Sequence, residues 1–223
     1  MAGAISAERF MSKTAYQRFV CVRDDFYEDL EKAYRATRTA TYIEHEVATG
    51  LRSSTVYHEP GVKKKLERLL GLKITRWDTD PADENGVFYI GAAEGRLKEK
   101  PGIHIDHPND DVTVVIYLTP GLPPDCGTSL WQHRRTGLAD AATRADARRL
   151  GIRYADLLDV FERDARIHER WIELDRIGYK PNRMVAYPSG VFHSASRHYG
   201  SSVVNARLYQ TFRVGVDWAS QAR

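Results

Sequence analysis

Gly102-Ile103-His104-Ile105-Asp106-His107-Pro108 runs on into Asp111-Val112-Thr113-Val114-Val115-Ile116-Tyr117-Leu118, and how these residues are read decides the fold. Side chains alternate between faces in extended backbone, so His104 and Asp106, two positions apart, point to one side and offer two metal-ligand donors at one place. His107 falls on the opposite face by its odd spacing, which favours a supporting or surface role. The β-branched run from Val112 to Thr119 is closed by Pro120 and the Pro123-Pro124 turn, and it predicts a central strand with Thr128 to Arg134 as its neighbour.

The chain around this stretch has 223 residues, 28% of them charged, with a formal net charge of +3. That size suits one core with an elaborated insertion, and the expectation is a single domain over 1–223. No basic run or stripe accompanies the small positive charge, so no nucleic-acid partner is expected. Met1 to Phe10 lacks an apolar segment and no window reaches the length of a membrane span, so no membrane partner is expected either. Cys21 and Cys126 stand in unrelated contexts, which gives neither a disulfide framework nor a CxxC site and leaves a reducing cytoplasm as the default.

Residues 1–71 read mainly as helical support. Ala7 to Val20 is expected to be helical; Phe26, Leu30, Ala33 and Tyr34 fall at helical spacing after an N-cap at Asp24 or Asp25. Thr37 to Thr55 lacks periodicity and reads as loop with short structure. Pro60-Gly61 opens a basic amphipathic helix, Val62 to Leu70, which Gly71 ends. The barrel strands occupy 72–137 and 169–215: Leu72 to Trp77, Val87 to Ala92, Val112 to Thr119, Thr128 to Arg134, Trp171 to Leu174, Arg183 to Tyr187, Val191 to Ser194 and Arg207 to Val214. Between the two blocks, 138–168 is a helical insertion, with Tyr154, Leu157, Leu158 and Phe161 at i, i+3, i+4 and i+7. The fold class is therefore mainly β with helical support (α+β): a double-stranded β-helix, a jelly-roll or cupin-like barrel, with N-terminal helices and a helical insertion.

Such a barrel can bring a third donor to the first two. A non-haem Fe(II) centre takes two imidazoles and one carboxylate on one triangular face and keeps its other positions for chemistry. His104, Asp106 and His193 supply that set, His193 coming from a strand 89 residues further on. Arg207, 14 residues after His193 at the start of the last strong strand, is placed to point inward and bind a carboxylate bidentately. Arg213 has the same strand parity and competes for that role.

The ordered set His104-Ile105-Asp106, His193, Arg207 resembles the Fe(II)/2-oxoglutarate-dependent oxygenase superfamily in its small, prolyl-4-hydroxylase-like forms. Asn182 to His193 and Ala206 to Phe212 are similar to that family's distal-histidine and final strands, and the resemblance covers about Gly86 to Val214. It implies a dioxygenase with Fe(II) held by His104, Asp106 and His193. Its co-substrates are 2-oxoglutarate and O2, the distal carboxylate of the former pairing with Arg207 and with Tyr117 and Thr128 as helpers. Family members couple oxidative decarboxylation of 2-oxoglutarate to hydroxylation, or another oxidation, of an unactivated C–H bond. Asp106 keeps the full triad, which the family's halogenases lack. Trp131, Arg134 and Arg135 are candidates to meet a small-molecule substrate, such as an amino-acid derivative or a specialised metabolite, in a monomer or homodimer.

Blander readings stand beside each of these. An isolated H-x-D is more often an ordinary strand pair, a solvated arginine pair is the default for Arg134 and Arg135, and His133 and His198 suit hydrogen-bonding or surface roles. A metallo-β-lactamase-like zinc hydrolase would need a histidine where Gly102 stands. A cupin-like metal-binding or isomerase barrel without redox chemistry would usually show H-x-H.

Overall fold

The structure is a computed structural model that describes residues 19–44, 51–98 and 102–220. In chain order it runs β1 (Cys21–Arg23), α1 (Leu30–Thr39), β2 (Tyr42–Glu44), β3 (Leu51–Ser53), α2 (Val62–Leu70), β4 (Lys73–Arg76), β5 (Phe88–Gly91), β6 (Val112–Tyr117) and β7 (Thr128–His133). Then come α3 (Arg144–Leu150), α4 (Tyr154–Asp164), β8 (Trp171–Ile177), β9 (Met184–Pro188), β10 (His193–Ala195) and β11 (Arg207–Asp217). The named strands pair antiparallel in an eight-stranded sheet ordered β1-β9-β6-β11-β5-β3-β2, with β4 also on β11, and a three-stranded sheet ordered β10-β7-β8. Two antiparallel sheets and four helices make a mainly β architecture compatible with a β-sandwich or jelly roll.

Alternation along the central strands sorts the core into layers. Val112, Val114, Ile116 and Leu118 join Leu208, Phe212 and Val214 in a cluster on one face of the large sheet, where Ala33 of α1 and Val62 and Leu66 of α2 cover it. Val115 and Tyr117 turn the other way and meet Val185, Tyr187, Leu130 and Tyr179 between the two sheets. Every residue of β6 is buried as a result, which is why its sequence is a near-continuous apolar run, broken by Thr113, rather than alternating. Each Val or Ile so enclosed contributes roughly 1.5–3 kcal/mol. A third cluster joins Trp131 and Trp171 of the small sheet to Leu157 and Phe161 of α4 and to Phe192. The insertion thus covers the outer face of the small sheet.

The long strand β11 is the spine. It pairs β6 over six residues, from Tyr209 opposite Tyr117 to Val214 opposite Val112, and β5 from Arg207 opposite Gly91 to Gln210 opposite Phe88. That register sends Arg207, Tyr209, Thr211 and Arg213 inward, while Leu208, Phe212 and Val214 go to the helix-covered face. A slip of one residue would exchange the two sets, so the buried apolar face fixes it.

Several local expectations are corrected. Among the described residues the first 71 supply three short strands as well as two helices, while the short structure expected within Thr37 to Thr55 is the antiparallel pair of β2 and β3. Of the expected helix Ala7 to Val20, only Phe19 and Val20 lie among the described residues, and neither is helical. The N-cap of α1 is Asp29, whose side chain accepts from Lys32 N at 3.0 Å. Asp24 is instead taken by Lys180 and Arg183, and Asp25 sits at φ +58°, outside the helical region. Around His104 the chain is extended but forms a single bridge rather than a strand.

Candidate metal centre

That single bridge builds the centre. His104 and His193 stand directly opposite each other, exchanging backbone bonds of 3.0 Å (His104 N to His193 O) and 2.9 Å (His193 N to His104 O), with ring centroids 4.4 Å apart. The turn after β9 sets this up: Val191 N bonds Pro188 O at 3.1 Å, and Ser189 O receives Asp106 N at 2.9 Å. One turn therefore begins the His193 segment and anchors the H-x-D segment.

Each imidazole is oriented from behind. His104 Nδ1 lies 2.8 Å from Gly102 O and His193 Nδ1 lies 2.9 Å from Val191 O. A carbonyl only accepts, so Nδ1 carries a proton in both rings and Nε2 is the nitrogen turned to the centre. The two Nε2 atoms sit 3.9 Å and 3.4 Å from the Asp106 carboxylate, and one donor atom from each of the three residues lies within 4.8 Å of the others. Among the described residues no other such grouping of histidine, cysteine and acidic side chains occurs. Burial pushes the His193 imidazole down to about 4, so it is neutral at neutral pH. His104 is exposed and forms the outer lip.

Asp106 is buried and held from two sides. Thr113 Oγ1 donates to its Oδ2 at 2.5 Å, and Arg213 Nη2 reaches its Oδ1 at 2.8 Å. Burial, the largest single influence, would raise this carboxyl, but Arg213 together with the two neighbouring imidazoles and the Thr113 hydroxyl outweighs it and holds the group well below the usual carboxylate range. Arg213 also pairs with Glu84, a buried carboxylate that receives the Tyr89 hydroxyl. A long charged side chain between two acids is raised well above its ordinary value despite its burial.

At the other end of the same inward face lies Arg207, 2% exposed. Its Nε donates to Cys126 O at 2.6 Å and its Nη2 to Gly127 O at 3.2 Å, while its guanidinium carbon lies 4.3 Å and 5.3 Å from the ring centroids of Tyr209 and Tyr117. Tyr117 donates its hydroxyl to Thr128 Oγ1 at 2.8 Å and stacks on Tyr179 with centroids 4.6 Å apart. Gly127 is required here: a Cβ would come 1.8 Å from Ile177 O, so only glycine lets the start of β7 close on the end of β8 and present its carbonyl to the arginine. Among the described residues no carboxylate pairs with Arg207.

His104, Asp106 and His193 are thus brought together, and so are Arg207, Tyr117 and Thr128. The other candidates fall elsewhere. Trp131 packs in the insertion cluster, its indole N–H donating to Ser194 Oγ at 3.0 Å. Arg134 and Arg135 lie exposed beyond β7, Arg134 bonding Glu169 O at 3.0 Å. His107 is exposed and accepts from Asn109 N at 3.2 Å. His133 is buried between Thr136 Oγ1 and Asp164 Oδ2, both at 3.1 Å, and ties the insertion to the small sheet. Sequence reasoning missed Glu84, which sits in the polar stretch Thr79 to Gly86; its one local signal is a lone acid beside Asn85-Gly86 directly before a buried strand.

Residues 97–205 match a family described as a family of unknown function, DUF6445. No curated protein matches the chain. Among solved structures the chain is similar to HygX from Streptomyces hygroscopicus, determined with nickel, 2-oxoglutarate and hygromycin B bound. The identity is 11% and the TM-score 0.44, over 98% of this chain and 90% of that one. No helix among the described residues is long and apolar enough to cross a membrane.

Proposed function

We propose that this chain is a non-haem Fe(II)- and 2-oxoglutarate-dependent dioxygenase on a double-stranded β-helix, oxidising a C–H bond of a small molecule. The observation that carries the reading is a pairing on one inward face: a three-donor cluster at one end, and at the other a fully buried arginine with no acid of its own among the described residues. An unpaired buried cation is costly, so Arg207 calls for an anionic guest.

The donor set fits the metal by chemistry. Two imidazoles and a carboxylate suit Fe(II), and the Nδ1 bonds to Gly102 O and Val191 O hold both rings in the ligating orientation. His104, Asp106 and His193 would hold the ion, which with 2-oxoglutarate and O2 supplies the oxidising chemistry. Arg207 would bind the distal carboxylate of 2-oxoglutarate, with the Tyr117–Thr128 hydroxyl pair beside it. The tyrosine faces around Arg207 keep water from that charge, which strengthens the attraction. Thr113 and Arg213 fix the Asp106 carboxylate, so it need not reorient as the ion arrives. The insertion borders both metal-bearing segments, through Ile103 N to Ala165 O at 2.8 Å and Phe192 N to Ala139 O at 3.0 Å. It is therefore positioned to shape the substrate mouth.

Anaerobic titration of the metal-free protein with Fe(II) and 2-oxoglutarate tests this. A weak visible metal-to-ligand charge-transfer band should appear in the wild type and be absent in His193→Ala. A folded wild-type protein that gives no band overturns the reading.

A further inference from the structure

We propose that Glu84 is a positioning residue for the metal: by sharing Arg213, it preserves the negative charge that Asp106 presents to a divalent ion. This rests on the metal-site reading above and concerns a residue 22 positions upstream of the H-x-D carboxylate.

Charge in a buried site makes the case. Asp106 and Glu84 have side chains 2% and 5% exposed, and the one guanidinium of Arg213 bridges them. Its Nη1 serves Glu84 and its Nη2 serves Asp106, while its Nε is buried without a hydrogen-bond partner. Two carboxylates against one guanidinium, with the neighbouring Asp110 carboxylate answered by Arg76, leave one net negative charge beside the two histidines. Without Glu84 the count would be zero: Arg213 would cancel Asp106 where little solvent screens the pair, and an arriving cation would meet a neutral site.

Glu84 is also held at some cost. It occupies the left-handed region at φ +53°, unusual for a residue with a side chain. Tyr89 donates its hydroxyl to the carboxylate, and Thr211 Oγ1 donates to the backbone carbonyl at 3.2 Å. Its carboxylate is not one of the three clustered donors. Its carboxylate is joined to Asp106 through the Arg213 guanidinium.

Titration of metal-free protein with Co(II), without 2-oxoglutarate and followed by calorimetry and visible absorption, reads this directly. Wild type should bind one equivalent. Glu84→Gln should bind roughly tenfold or more weakly, because removing one charge from a weakly screened site costs at least that much. The double variant Glu84→Gln/Arg213→Met restores the net charge of minus one and should return to within about threefold of wild type. Thermal unfolding of the same metal-free samples shows that each is folded. Equal affinity of Glu84→Gln and wild type overturns the proposal, as does a double variant that binds no better than the single. A folded wild type that binds no Co(II) overturns the metal-site reading itself.

Discussion

Arg207 and Arg213 lie six residues apart on β11, face the same way and are both buried or nearly so, yet they live in opposite electrostatic situations. Arg213 has two acids. Arg207 has none among the described residues, where two carbonyls and two aromatic faces surround it. A guanidinium already shared between two carboxylates has little left for a ligand, whereas one surrounded by neutral groups is poised for an anion. Identical residue type and strand parity therefore say nothing about role; the partners delivered by other segments decide it.

The contrast can be broken most directly at Arg213. Arg213→Met leaves Asp106 and Glu84 as two uncompensated buried acids, and the metal-free protein should lose about 3–5 kcal/mol of unfolding free energy in urea. A loss below about 1 kcal/mol would mean that the ion pairs do not carry the site. At Arg207 the same change should act on binding instead. Arg207→Met should keep or raise the stability of the ligand-free protein, because an unpaired buried cation is removed, while 2-oxoglutarate affinity in the presence of metal falls roughly a hundredfold, about 2.7 kcal/mol. If Arg207→Met destabilises as much as Arg213→Met, the two arginines are not different in kind.

A smaller effect separates their surroundings by pH. The Arg213 end contains His193, whose folded-state value burial lowers to about 4 from its ordinary 6.5. The unfolded chain takes up that proton first as pH falls, so the stabilisation is complete above about 6.5 and is lost towards 4, at up to about 1.4 kcal/mol per pH unit. His133, also lowered by burial, adds in the same direction from the insertion side. Unfolding free energies of metal-free protein measured between those limits should fall with pH, and His193→Ala should flatten the slope while Arg207→Met leaves it unchanged. An unaltered slope in His193→Ala would break this part of the contrast.

Much of the frame was legible because it depends on local pattern. The β-branched run of β6, the amphipathic spacing of α2 and the turn residues Pro188-Ser189-Gly190 act within a few residues and put those elements close to where they are found. The strands β1, β2 and β3 were not legible, since three residues each are too short for a period to show and their strand character comes from the sheet they join. The N-cap illustrates the same limit: Asp24, Asp25 and Asp29 are equal candidates by residue type, and the choice falls to Asp29 because Lys180 and Arg183 claim Asp24 from more than 150 positions away. Within the candidate site the histidines, Asp106 and Arg207 announce themselves by spacing. Glu84 does not, because a buried acid and a solvated one look alike in a polar turn.

The sequence by itself determined the order of the donors, the parity that puts His104 with Asp106 and Arg207 with Arg213, and the apolar strands that must be enclosed on both faces. These follow from the two-residue repeat of extended backbone, which any reader of the chain can apply. Only the tertiary structure decided that His193 would sit across a backbone bridge from His104, that Arg213 would be shared between Asp106 and Glu84, and that Arg207 would meet no acid among the described residues. The reason is range: parity is set between neighbours, but the energy of a buried charge is set by whatever the fold brings within a few ångströms of it.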